Sequence, residues 1–148
     1  MDAELQQMLG LNGVEDREAA WETFQWLLEN SEFLAVVSKG SGRVIGHICI
    51  QAPNDKAANA PEFEGKKGGS LSFAMAKGEQ RKGLMLEALR SLIAQKFREG
   101  AFDYFDCEYE PNNVASHGVQ EKLGFQHWGK DRFGEQVLII NILQHEKK

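Results

Sequence analysis

The stretch that decides the fold is Ser70-Leu71-Ser72-Phe73-Ala74-Met75-Ala76-Lys77-Gly78-Glu79-Gln80-Arg81-Lys82-Gly83-Leu84-Met85-Leu86-Glu87-Ala88-Leu89. Ser70–Ala76 has the length and apolar content of a strand. From Leu84 to Glu99 the residues Leu86, Leu89, Leu92, Ile93 and Phe97 share one helical stripe, and Gly100 stands where the helix should stop. A short basic turn with two glycines, Gly78 and Gly83, is all that separates strand from helix. The turn therefore ends at a helix N-terminus, where free N–H groups and a partial positive charge suit an anion. Arg81 and Lys82 stand at that helix start, where a cation is disfavoured by roughly 0.3–1 kcal/mol. A bound phosphate would reverse the sign; the ordinary alternative is a pair of exposed surface charges.

Two phosphate motifs fail here. Gly78 and Gly83 have the spacing of a P-loop, but Leu84 and Met85 follow instead of Lys and Ser/Thr. The dinucleotide fingerprint G-x-G-x-x-G is absent.

Upstream, Glu15–Glu29 carries Ala19, Ala20, Trp21, Phe24, Leu27 and Leu28 at helical spacing. Trp21, Phe24 and Trp26 are expected to pack that helix on the sheet. Glu32–Ser38 and Arg43–Gln51 read as two strands joined by a hairpin at Lys39-Gly40-Ser41-Gly42. Ala52–Gly69 reads as a long polar loop, either functional or a solvated insertion. Downstream, Phe102–Glu110 reads as a strand, and a short helix capped by Asn112 or Asn113 runs to about Lys122 and ends at Gly124. Phe125–Lys130 and Glu135–Leu143 close the chain as a hairpin around Asp131–Gly134. Hairpins mixed with a β-α-β passage give an α+β, or mixed α/β, class.

The chain has 148 residues, enough for one domain with a single core. A net charge of -5 argues against broad nucleic-acid binding and is compatible with a basic or amine substrate. Cys49 and Cys107 lie in separate apolar runs with no metal-ligand spacing, so two buried thiols and no metal are expected. No apolar run approaches a membrane span and no secretory layout opens the chain, so no membrane association and a cytoplasmic location are expected.

Gln80-x-x-Gly83-x-Met85 resembles the acetyl-CoA signature of the GNAT N-acetyltransferases, R/Q-x-x-G-x-G/A. The longer string Gln80–Leu89 is similar to that of the ribosomal-protein N-terminal (Rim-type) subgroup. Pro111-Asn112-Asn113-Val114-Ala115-Ser116 with Glu121-Lys122-Leu123-Gly124-Phe125 resembles the family's N-x-x-S…E-K-L-G-F segment. The resemblance covers roughly residues 33–143. It implies a mostly antiparallel sheet with a splayed parallel strand pair and flanking helices. It implies acetyl-CoA as cofactor, its pantetheine arm on the main chain near Phe73 and Met75. Its pyrophosphate would rest on Gln80, Arg81, Lys82, Gly83, Leu84 and Met85, with Asn113 and Ser116 facing the arm from the other side. The reaction implied is acetyl transfer to a protein N-terminal or small-molecule amine; a CoA-binding module without catalysis is the alternative.

Gln120 stands where many members carry a proton-donating tyrosine, so Ser116 takes the role of acid by resemblance to the Rim-type subgroup. As a helix-start serine it could equally bond its own backbone. Glu108 is the candidate base, with Glu110 and His117 nearby; a solvated strand-end carboxylate is the plain reading of Glu108. Residues 1–12 show no alternating pattern of the first strand with which most members begin, so the chain is expected to be either a fragment or a shortened variant. The edge of Glu32–Ser38 is then expected to be covered by residues 1–12, by another chain, or by exchange between protomers, a homodimer being one such arrangement.

Overall fold

A computed structural model describes residues 22, 25, 29, 31–76 and 83–146. The expected helix over 15–29 falls almost wholly outside these residues; of it, Glu22, Gln25 and Glu29 are helical and exposed. The described elements are β1 (Glu32–Val37), β2 (Val44–Gln51), α1 (Asp55–Ala58), a 3-10 turn (Pro61–Phe63), β3 (Gly68–Met75), α2 (Leu84–Arg98), β4 (Tyr104–Tyr109), α3 (Val114–Leu123), β5 (Gln126–Phe133) and β6 (Gln136–Gln144). Main-chain hydrogen bonds link the strands in the order β1-β2-β3-β4-β6-β5. The β3–β4 pair is parallel, whereas β1–β2, β4–β6 and β5–β6 are antiparallel. This is the mixed α/β class expected.

The chain divides into two compact units, Met1–Gln51 with Ser72–Ala88, and Ala52–Leu71 with Leu89–Lys148. Strand β3 and helix α2 each run through both.

In the first unit, β1 and β2 form the expected hairpin, and Ser38 N donates to Arg43 O across the turn. The N–H of Ala76 donates to Ile45 O at 2.7 Å, fixing the end of β3 beside β2. Gly46 is held to glycine by space: a Cβ there would lie 2.5 Å from Ala74 O and 3.2 Å from Met85 Cε. Among the described residues, β1 stands at one end of the strand order. Residues 1–12, one of the expected covers for it, lie outside those described.

In the second unit, β4 lies between β3 and β6, and its residues alternate between two faces. Tyr104, Asp106 and Glu108 share one face, with Ile142 and Ile140 as cross-strand neighbours of the two acids. Ala57, Phe63, Tyr104, Ile140 and Ile142 form a buried cluster there, with Ala60 and Trp128 packed against it. Phe105 and Cys107 occupy the other face, and the Phe97 ring of α2 packs 5.3 Å from Phe105.

Two sequence expectations need correction. Ala52–Gly69 is not a featureless polar loop. Asn54 caps α1 by accepting from Ala57 N, Phe63 is 2% exposed in the cluster, and β3 already begins at Gly68. The buried Phe63 ring packs 4.4 Å from the Tyr104 ring and anchors the segment to β4. The final hairpin turns later than expected: Phe133 pairs with Gln136, leaving Gly134 (φ 63°) and Glu135 as a two-residue turn. A glycine at the first turn position meets the positive φ such turns require.

Gly68 is directly opposite Tyr104 in the parallel ladder, and a Cβ at Gly68 would overlap the Tyr104 ring. Gly68→Ala should therefore destabilise the protein by about 1–3 kcal/mol. A lowered urea midpoint with an unchanged m-value is the expected reading.

Candidate functional site

The parallel ladder between β3 and β4 runs from Gly68↔Tyr104 to Leu71↔Cys107, and its register goes no further. At its last rung the Cys107 thiol donates to Leu71 O at 3.3 Å. Phe73 and Met75 lie beyond that rung, both half-buried. Gln80, Arg81 and Lys82 lie outside the described residues. Gly83 has φ 73° and open space where a Cβ would stand. Its carbonyl accepts from Glu87 N at 3.1 Å, so α2 starts there. The first N–H groups of α2 have no acceptor within the helix. Met85 is 7% exposed with its Cε against Gly46, so this residue can offer a ligand only its main chain. Leu84 is half-buried and Glu87 exposed in the first turn, where its charge suits the helix dipole.

Helix α3 carries the second group. Asn113 caps it, its Oδ1 accepting from Ser116 N at 3.1 Å. Ser116 is half-buried one turn in. Gln120 Nε2 donates to Ser116 Oγ at 3.1 Å, and Asn141 Nδ2 of β6 donates to Gln120 Oε1 at 2.9 Å. Gln120 is 0% exposed and Asn141 3%. Asn141 is the cross-strand neighbour of Cys107, and the His117 ring lies 5.2 Å from Tyr109. Helix α3 thus covers the Cys107–Tyr109 face of β4.

Glu108 points to the opposite face. Its Oε1 accepts from Asn54 Nδ2 at 2.5 Å, and the same nitrogen donates to Asp131 Oδ2 at 3.0 Å. Asn54 N donates to Asp106 Oδ2 at 2.7 Å, while Asp106 Oδ1 is buried without a hydrogen-bond partner. Burial pushes the Asp106 carboxyl up to about 6, against hydrogen bonds from Ser70 and Asn54 that lower it; the nearby Glu108 charge adds a smaller push upward. Asp131, by contrast, is held below its usual value, first by the Asn54 hydrogen bond. The two candidate catalytic residues, Ser116 and Glu108, are thus set on opposite faces of β4. Glu110 is exposed and accepts from Gln136 Nε2 at 2.7 Å; His117 is exposed and 3.6 Å from Glu121. No group of metal-ligating side chains forms a metal site among the described residues.

Sequence reasoning missed Asn54, Asp106 and Asn141. For Asn54 a signal existed: Asn followed by Asp is the pattern of a helix cap with an acid in the first turn. Asp106 and Asn141 sit inside apolar runs and show their role only through cross-strand pairing.

Residues 1–126 match the family model of the acetyltransferase (GNAT) domain. The chain belongs to the GNAT acetyltransferases. No curated protein sequence matches it. Solved GNAT structures share the fold at low identity. Ribosomal-protein-S5-alanine acetyltransferase from Vibrio fischeri is 20% identical with a TM-score of 0.67, over 85% of this chain and 71% of that one. RimL, the ribosomal L7/L12 alpha-N-protein acetyltransferase in complex with coenzyme A, is 14% identical with a TM-score of 0.73, over 95% and 86%. The microcin C7 self-immunity acetyltransferase MccE, in complex with acetyl-CoA and AMP, is 14% identical with a TM-score of 0.73, over 96% and 86%.

The raised Asp106 carboxyl makes a signed prediction. The folded protein keeps this proton up to about pH 6, whereas the unfolded chain loses it near 3.8. Its contribution to stability is therefore present at low pH and lost as pH rises between those values. Asp106→Asn has no such loss. From about pH 4 to about pH 7.5 the unfolding free energy of the variant should gain about 2–3 kcal/mol on the wild type, read by urea titration at each pH.

Proposed function

We propose that this GNAT protein is an acetyl-CoA-dependent N-acetyltransferase that passes the acetyl group directly to a primary amine, on a protein N-terminus or a small molecule. The observation that carries this reading is the end of β3. The strand leaves its parallel ladder after Leu71 and feeds helix α2 through Gly83, which bears a positive φ and open space. Those features suit a phosphate-bearing ligand with a linear arm: glycine lets an anion approach the main chain, and the helix start supplies N–H donors.

In this reading the main chain of Gly83, Leu84 and Met85, with Gln80, Arg81 and Lys82, holds the pyrophosphate. By the family resemblance, Phe73 and Met75 would pair with the pantetheine arm through their main chain, and Asn113 and Ser116 would contribute to its binding. Bound acetyl-CoA supplies an acetyl group activated as a thioester. The N–H near Met75 would polarise the thioester carbonyl. Ser116 Oγ–H would offer a proton to the departing sulfur, and Glu108 would take the proton lost by the amine through a water. Sulfur gains one proton and the amine nitrogen loses one; solvent water would return a proton to Ser116 and accept one from Glu108, so the transfer balances.

A second reading, CoA binding without turnover, draws on Gln120 in the position of the family's tyrosine. Two measurements separate the possibilities. Acetyl-CoA at about 100 times its Kd should stabilise the protein by about 2.7 kcal/mol in a thermal-shift titration. No shift at large excess removes both readings. Free-thiol release across a panel of peptide N-terminal and small-molecule amines is expected for at least one acceptor. Stabilisation without release on any amine would favour the non-catalytic module.

A further inference from the structure

The proposed function leaves Gln120 as a departure from the family pattern, yet this residue is among the most deeply buried polar groups described. Both ends of its amide are used. Asn141 Nδ2 donates to Gln120 Oε1 at 2.9 Å, and Gln120 Nε2 donates to Ser116 Oγ at 3.1 Å. The sequence of donations has one direction: Asn141 to Gln120 to Ser116. Asn141 and Gln120 are 3% and 0% exposed, so the bond between them is shielded from water, while the Gln120–Ser116 bond is part-buried.

The direction has a chemical consequence. A serine hydroxyl has one proton and two lone pairs. On a helix, its commonest occupation is to give that proton to a carbonyl one turn back. Here Gln120 fills a lone pair of Ser116 Oγ from the buried side, and Asn113 Oδ1 holds the Ser116 main chain at 3.1 Å. The hydroxyl proton is left to point away from Gln120. When the proton is shared with an electron-rich partner, the negative charge that grows on Oγ meets the Gln120 N–H.

We propose that Gln120 is a positioning residue, aligned by Asn141, that turns the Ser116 hydroxyl proton toward the sulfur of the bound cofactor. This inference rests on the acetyltransferase reading given above and deepens it. The glutamine transfers no proton itself. It leaves the serine as the donor.

The first readout does not depend on turnover. Coenzyme A bound to the wild type should show a larger thiolate fraction, by ultraviolet absorbance at fixed pH, than coenzyme A in water. A donated hydrogen bond to a charged acceptor shifts such an equilibrium by about tenfold or more. Gln120→Met keeps the volume and removes the donor; Ser116→Ala removes the hydroxyl. Both should return the thiolate fraction to that of free coenzyme A. The second readout is thiol release from acetyl-CoA with water as the acceptor. Each variant should lose about tenfold in kcat with KM for acetyl-CoA within about twofold, and the double variant should be no worse than either single one.

Asn141→Asp keeps the proposal testable should Gln120→Met fail to fold. A carboxylate at that position can only accept, so the Gln120 amide turns over and presents its carbonyl to Ser116. The hydroxyl proton is then drawn inward, and the same loss should appear with Ser116 and Gln120 both intact. A Gln120→Met protein with normal kcat and thiolate fraction, or losses that add in the double variant, would overturn the proposal. So would a Ser116→Ala protein that behaves as wild type. A wild type that acetyl-CoA does not stabilise would instead bring down the acetyltransferase reading, and this inference with it.

Discussion

The second unit depends on a short run of parallel pairing. Among the described residues, β3 and β4 share a register over Gly68–Leu71 and Tyr104–Cys107. Parallel strands are joined by a crossover, here α2. The pairing sets which residues of β4 point to which face. It also sets where β3 stops being bound on that side. A longer ladder would bind the main chain of Ser72–Met75 to β4; a shorter one would leave Asp106 and Cys107 unaligned with the groups that satisfy them. The thiol of Cys107 on the Leu71 carbonyl marks the boundary chemically.

The alternation of β4 divides the polar chemistry in two. On the Asp106–Glu108 side, three carboxylates gather around Asn54, and the amide nitrogen of that residue serves two of them. On the Cys107–Tyr109 side, the amides of Asn141 and Gln120 and the hydroxyl of Ser116 form one chain of donations. The first arrangement can accept or hold a proton. The second can offer one but stores no charge. Acid–base chemistry on an amine and a thioester needs both characters.

Much of the fold was legible because its signals are local. The stripe of α2, the Asn113 cap, Gly100 and Gly124 as helix stops, and the β1–β2 hairpin all rest on spacing or on one residue's backbone preference. Ala52–Gly69 was misread because its order comes from a distance: Phe63 packs on Tyr104, and Asn54 bonds to β4 and β5. The last hairpin was misread because Asp131–Gly134 is polar enough for a turn, while β6 pairs strongly enough to keep Asp131–Phe133 extended. Of the candidate site, the motif residues were visible and their neighbours were not. Gln120 showed in the sequence only as a missing tyrosine; its value to Ser116 depends on Asn141, which is distant along the chain.

The two cysteines carry a practical consequence. Both are buried, and burial pushes both thiols above the usual range. A thiol reacts as its thiolate, so the native protein is slow toward disulfide dyes and alkylating reagents. A colorimetric thiol signal in the presence of the folded chain therefore belongs to coenzyme A released in solution. The same silence makes Cys107 an internal clock. It sits at the rung where β3 and β4 part, so its labelling rate reports how often that seam opens.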